Sequence, residues 1–139
     1  MTRNSATLPS VVTYPRGGTV SYTYDSANAS PRERGNLLQT VETPAPGFPA
    51  DQAQRVNQWT YQPGFGRPEG GEPTAPVTHT DPLGHVTTGT YDANGNCLSV
   101  TPPGLSVGHD FEYNSAGQMT AHISPADANA RRQRDTNSY

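Results

Sequence analysis

From Asp81 to Leu98 the chain reads as turn, strand, turn, strand, and this order returns elsewhere in its 139 residues. Asp81-Pro82-Leu83-Gly84 is a turn sequence. Pro presets φ, the Asp side chain accepts from the backbone two residues on, and Gly takes the left-handed position. Val86 to Tyr91 is rich in β-branched residues and ends in an aromatic, as strands do. Asp92-Ala93-Asn94-Gly95-Asn96 is a hairpin loop, and Leu98 to Thr101 returns as its partner strand. Pro15 to Tyr24 and Pro82 to Tyr91 are the same step, as are Gly17 to Tyr24 and Gly84 to Tyr91. Gly35-Asn36-Leu37-Leu38 matches Gly95-Asn96-Cys97-Leu98, and Tyr113-Asn114-Ser115-Ala116-Gly117 is a third copy. A degenerate copy lies at Trp59 to Arg67. A repeat of this kind decides the fold class before any single element does. It predicts an all-β chain of repeated antiparallel hairpins.

Composition agrees with a thin structure. Ile, Leu, Val and Phe make up only 19 of 139 residues, too few for a thick core. Disorder would be favoured by high net charge, but the net charge is only −3. Seven tyrosines placed along the pattern argue that aromatics are covered. A turn-dense β structure satisfies all three observations.

The same charge leaves no electrostatic footprint for nucleic acid. Cys97 is alone and has no intrachain partner. No apolar run near Met1 suits a signal-peptide core, and no segment suits a membrane span.

Taken in order, residues 1–10 are expected to be disordered, 11–125 to hold three to four repeats, and 126–139 to be a frayed tail or a partial repeat. Strands are expected at Val11–Tyr14, Thr19–Tyr24, Leu37–Val41, Gln58–Tyr61 and Val77–Thr80. Alternation places Val20, Tyr22 and Tyr24 on one face, continued by Thr87, Gly89 and Tyr91 and then by His109, Phe111 and Tyr113. Asp25 to Arg34 is an enlarged hairpin loop, and residues 62–76 form a long Gly- and Pro-rich loop.

Tyr91-Asp92-Ala93-Asn94-Gly95-Asn96, with variants at Tyr24-Asp25 and Tyr113-Asn114, resembles the YD repeat of RHS-type proteins over most of the chain. The motif residues are Tyr24, Asp25, Gly35, Asn36, Gly84, Tyr91, Asp92, Gly95, Asn96, Tyr113, Asn114 and Gly117. The resemblance implies a segment of a spiralling β-sheet shell. In bacterial toxin complexes and polymorphic toxins such a shell encloses a toxic domain, and teneurins carry related repeats. It therefore implies neighbouring RHS repeats or a toxin domain of a larger protein as partners, and a secreted or cell-surface location. No counterpart of a self-cleaving aspartate segment or of a toxin domain is present in the sequence.

Other chemistry is weakly supported. Asp92-Ala93-Asn94-Gly95-Asn96 opens like a calcium loop, but Cys97 and Pro103 stand where Gly and Glu are required. His79, His85, His109, His122 and Cys97 show no close ligand spacing, so no metal or cofactor is expected. No nucleophile elbow or phosphate loop follows a strand, so no enzyme and no catalytic residue is expected. Arg131, Arg132 and Arg134 read as a solvated basic tail. Trp59 and Tyr61, with Phe65, offer an alternative: stacking on a sugar in a carbohydrate- or cell-surface-binding module. A second alternative is a non-functional gene fragment.

Overall fold

The structure, a computed structural model, describes residues 2–3 (backbone), 8–27, 35–47, 53–61 and 76–139. The described residues contain no α-helix and eleven strands. They are β1 (Thr2–Arg3), β2 (Pro9–Thr13), β3 (Thr19–Tyr24), β4 (Leu37–Thr43), β5 (Arg55–Thr60) and β6 (Thr78–Thr80). The rest are β7 (Val86–Tyr91), β8 (Cys97–Thr101), β9 (His109–Tyr113), β10 (Met119–Ile123) and β11 (Arg134–Thr136). The fold is all-β, as the repeat predicts, and its hairpins are antiparallel.

The chain divides into two compact units. One comprises Met1–Thr60 with His79–Gly84, the other Tyr61–Thr78 with His85–Tyr139. In the first unit β1 to β5 lie in chain order, and His79 and Thr80 of β6 follow β5. Val41 pairs with Ser21 on one side and Val56 on the other, so the middle of β4 is hydrogen-bonded on both edges. In the second unit β7 to β11 also lie in chain order. Gly89 of β7 donates its backbone N–H to Val77 at 2.8 Å.

Several strands extend beyond their expected limits. Pairing reaches into the first ten residues, where Arg3 faces Pro9. β5 begins at Arg55 rather than Gln58, because Arg55, Val56 and Asn57 pair with Glu42, Val41 and Thr40. Within residues 126–139, β11 pairs with β10 from Ala121↔Thr136 to Ile123↔Arg134. The cross-strand ladder satisfies backbone groups that the local sequence alone would leave to water. Most of the long loop at 62–76, with Phe65, and most of the enlarged loop at 25–34 lie outside the described residues.

Burial is shallow throughout. Ala121 is the one buried hydrophobic residue among those described, and no large side chain is fully buried. On β7 the pattern alternates cleanly: Thr87, Gly89 and Tyr91 are half-buried, while Val86, Thr88 and Thr90 are exposed. Within each unit the described strands give their side chains lateral neighbours, in keeping with the half-burial.

Candidate functional site

The repeated element is a hairpin whose parts match position by position. In β3–β4, Tyr24 faces Leu37 and Thr23 faces Gln39. In β7–β8, Tyr91 faces Cys97 and Thr90 faces Ser99. In β9–β10, Tyr113 faces Met119 and Glu112 faces Ala121. Each copy skips one residue on the returning strand, so Leu38, Leu98 and Thr120 are the extra residues of three equivalent bulges.

The turns explain the bulges. Asp92 donates its N–H to Asn96 O at 2.9 Å, and Gly95 donates to Asp92 O at 3.0 Å. Asn114 and Gln118 repeat the first bond at 3.0 Å, and Gly117 and Asn114 the second, also at 3.0 Å. The Asp92 carboxylate accepts from the Asn94 and Asn96 N–H groups at 2.8 and 2.9 Å. Asn114 Oδ1 accepts from Ala116 and Gln118 at 3.0 Å each. Gly95 and Gly117 have φ of 84° and 77°, the left-handed conformation that closes a hairpin of this length. Tyr14 to Gly18 closes in the same way through Tyr14 N–H to Gly18 O at 2.8 Å. The enlarged loop ends alike, since Asp25 donates to Asn36 O at 2.9 Å, with exposed Gly35 just before the acceptor.

The Asp81 turn uses related chemistry between β6 and β7. Leu83 N–H donates to Asp81 Oδ1 at 2.8 Å, and Gly84, with φ of 82°, donates to Asp81 O at 3.0 Å.

The motif tyrosines are alike in being half-buried. Partial burial pushes the phenols of Tyr24, Tyr91 and Tyr113 above their ordinary range. The Tyr91 hydroxyl donates to Pro76 O at 3.2 Å. Its ring end lies over Gly89, where an added Cβ would come within 3.1 Å of the hydroxyl. Tyr24 lies beside Tyr22, with ring centroids 6.5 Å apart. The Asp92 carboxyl is held below its usual range, first by the hydrogen bond from the Asn96 side chain and then by backbone donors.

The candidate sugar-stacking residues are placed differently. Trp59 lies against His79, with centroids 5.1 Å apart and planes at 12°, and His79 Nε2 is 3.0 Å from Asn57 Oδ1. One face of the indole is therefore covered by a ring of the same unit. Tyr61 is half-buried and falls in the other unit.

Three features carried no clear signal in the sequence. Asp127-Ala128-Asn129-Ala130-Arg131 is a further hairpin turn of the same kind: Asp127 donates to Arg131 O at 2.8 Å, and its carboxylate accepts from Asn129 and Arg131 at 2.8 Å each. Its repetition of Asp92-Ala93-Asn94 was the available signal, but Ala130 stands where Gly is expected, with φ of 58°. Two of the three tail arginines make specific bonds. Arg132 contacts Asp110, Gly108 O and Ser124 O at 2.7, 2.8 and 2.8 Å, and Arg134 grips Glu112 with two bonds. His109 and His122 meet through strand pairing, with Nδ1 and Nε2 2.9 Å apart. Among the described residues no group of three His, Cys, Asp or Glu side chains could hold a metal ion, and no helix is long and apolar enough to cross a membrane.

Residues 76–107, which span β6, β7 and β8, match the family model described as RHS Repeat. No curated protein matches the chain. The matched span holds the Asp81 turn, Tyr91 and the Asp92 turn, whose geometry returns in β9–β10, so residues 76–107 carry an RHS repeat.

Proposed function

We propose that the chain is a wall segment: its hairpins stand side by side as part of a β shell that encloses or presents an effector domain of a larger protein. Its role on this reading is structural, not catalytic, and its place is outside the cell or at the cell surface. The observation that supports it is the repeated register Tyr24↔Leu37, Tyr91↔Cys97 and Tyr113↔Met119, with no large side chain fully buried among the described residues. Repeats that bury little alone gain stability from neighbours. A face bearing half-buried tyrosines is suited to close a cavity rather than to form a core.

The test compares the isolated chain with the intact gene product. Circular dichroism and size-exclusion chromatography establish that the chain is folded. Hydroxyl-radical footprinting then measures Tyr24, Tyr91 and Tyr113 in both forms. Shielding of these tyrosines in the larger protein supports the wall role. Equal reactivity in both forms counts against it.

A further inference from the structure

We propose that Asn94 is a site of spontaneous modification: in the exposed Asp92 turn its side-chain amide is displaced by the backbone nitrogen of Gly95, leaving aspartate or isoaspartate at this position. Asparagine is among the thermolabile residues. Asn94 is the one asparagine in the sequence that a glycine follows. Glycine has no Cβ to crowd an approach to its own nitrogen, and its backbone reaches conformations that other residues rarely adopt.

The structure narrows the candidates. Asn57 Oδ1 lies 3.0 Å from His79 Nε2, and Asn96 Nδ2 donates to Asp92 at 2.8 Å. Asn114 Nδ2 donates to Gln118 Oε1 at 2.8 Å, and Asn137 Nδ2 to Met119 O at 3.2 Å. Asn36 is half-buried and precedes Leu37, the first residue of β4. Asn94 is exposed, and its backbone N–H is held by Asp92 Oδ1 at 2.8 Å, but among the described residues no partner holds its amide.

Asn129 is the matched control. It too is exposed, and its N–H meets Asp127 Oδ1 at 2.8 Å. The residue after it closes the turn by donating to Asp127 O at 3.0 Å, as Gly95 donates to Asp92 O at 3.0 Å. The two turns differ at the attacking residue, which is Gly95 with φ of 84° in one and Ala130 with φ of 58° in the other.

The chemistry needs only water as co-reactant. The Gly95 nitrogen forms a bond to Asn94 Cγ, and the Cγ–Nδ2 bond breaks. The displaced nitrogen leaves as ammonia, carrying the proton that Gly95 gives up. Water then opens the cyclic imide at either carbonyl. One opening gives aspartate. The other routes the main chain through the side chain, which adds a methylene to the turn. Attack requires the bond from Gly95 to Asp92 O to open, and exposed turns open at low cost. A lengthened main chain no longer fits the closure from Asp92 N–H to Asn96 O, 2.9 Å, that precedes the Tyr91↔Cys97 pair.

The test is incubation of the folded chain in mildly alkaline buffer, followed by mass spectrometry with fragmentation that assigns the site and separates isoaspartate from aspartate. Asn94 is expected to react at least about 10-fold faster than Asn129, a difference of about 1.4 kcal/mol in barrier. A130G is expected to bring Asn129 to within about 3-fold of Asn94, and G95A to slow Asn94 at least about 10-fold. Circular dichroism establishes that each variant keeps its β spectrum. Should G95A lose it, the wild-type comparison and A130G decide the question. The isoaspartyl form, separated by ion exchange, is expected to have a lower urea midpoint than the unreacted chain. Asn129 reacting as fast as Asn94 in the wild type, or keeping its slow rate in a folded A130G, overturns the site. An unchanged midpoint overturns the effect on the turn.

Discussion

Arg132 and Asp110 meet at 2.7 Å, and the same guanidinium also donates to the backbone of Gly108 and Ser124. One side chain thus ties the start of β9, the segment after β10 and the approach to β11. Arg134 makes a geometrically good pair with Glu112, but about half of each side chain is exposed. The contrast sets the first prediction. R132M removes several charge-assisted bonds from a partly covered site and is expected to cost about 1.5–3 kcal/mol, after allowance for the exposed side of Asp110. R134M, at a solvent-screened pair, is expected to cost clearly less than R132M. Urea midpoints at constant m-value measure both. Equal losses in the two variants would show that Arg132 is only another surface charge.

Cys97 occupies the slot opposite Tyr91 that Leu37 fills opposite Tyr24 and Met119 fills opposite Tyr113. The slot is apolar and partly covered, and burial pushes the Cys97 thiol up from its ordinary value. The residue is therefore a small hydrophobe here. C97M, which copies the β9–β10 hairpin, is expected to change stability by less than about 1.5 kcal/mol. Y91A removes the ring that covers Gly89 and is expected to cost about 2–4 kcal/mol. Thermal melts of the two variants check the ranking, and the prediction fails if C97M is the more damaging.

Ala130 holds the left-handed position that Gly95 and Gly117 hold in the sister turns. An L-residue with a Cβ in that conformation carries a cost of about 1–2 kcal/mol, which glycine avoids. A130G is therefore expected to stabilise the chain by about 0.5–1 kcal/mol, and G95A to destabilise it by about 1 kcal/mol or more. The opposite signs are diagnostic, because added flexibility in the unfolded chain alone would make A130G unfavourable. Chemical denaturation of the pair provides the measurement.

Local chemistry made the hairpins legible. Asp, Asn and Gly at fixed offsets dictate turn bonds within five residues, and alternating Thr and Tyr mark the half-covered face of β7. The Asp92 and Asn114 turns and their strands could be read from those offsets. What depends on pairing could not. The meeting of His109 with His122, the extension of β5 to Arg55 and the reach of Arg132 to Asp110 are consequences of register between strands. The turn at Asp127 was concealed by one substitution at the residue that defines the pattern. Each motif tyrosine is half-covered where it stands.

Gly108 leads into β9 where the chain passes against the end of β8. A Cβ built there would overlap Val100 O and lie 2.6 Å from Thr101 Cα, and both are backbone atoms that cannot rotate away. Its carbonyl also receives Arg132. G108A is expected to cost at least the upper end of the roughly 1–3 kcal/mol typical of overpacking. G104A, at an open turn with nothing within 4 Å, isolates the separate cost of positive φ. A larger loss for G108A than for G104A identifies close backbone approach as the cause. Equal losses would assign the effect to turn conformation instead.

The pH dependence follows from two sets of groups with opposite signs. Asp92 is held below its usual range by Asn96 and the turn N–H groups, and Glu112 by its hydrogen bonds from Arg134. A carboxyl whose folded pKa is depressed adds stability above its unfolded value, about 3.9 for Asp and 4.3 for Glu, and loses it as pH falls further. Tyr24, Tyr91 and Tyr113 are raised by burial, so their contribution is intact below about 10 and is lost as pH climbs past that value. The urea midpoint is therefore expected to be flat across neutral pH as far as these groups are concerned, falling below about pH 4 and above about pH 10. D92N retains the side-chain oxygen that Asn114 uses in the sister turn and is expected to flatten the acid limb while leaving the alkaline limb unchanged. An acid limb identical in D92N and wild type would show that the Asp92 turn does not contribute to it. An alkaline limb that persists after all three tyrosines are changed to phenylalanine would remove them as its source.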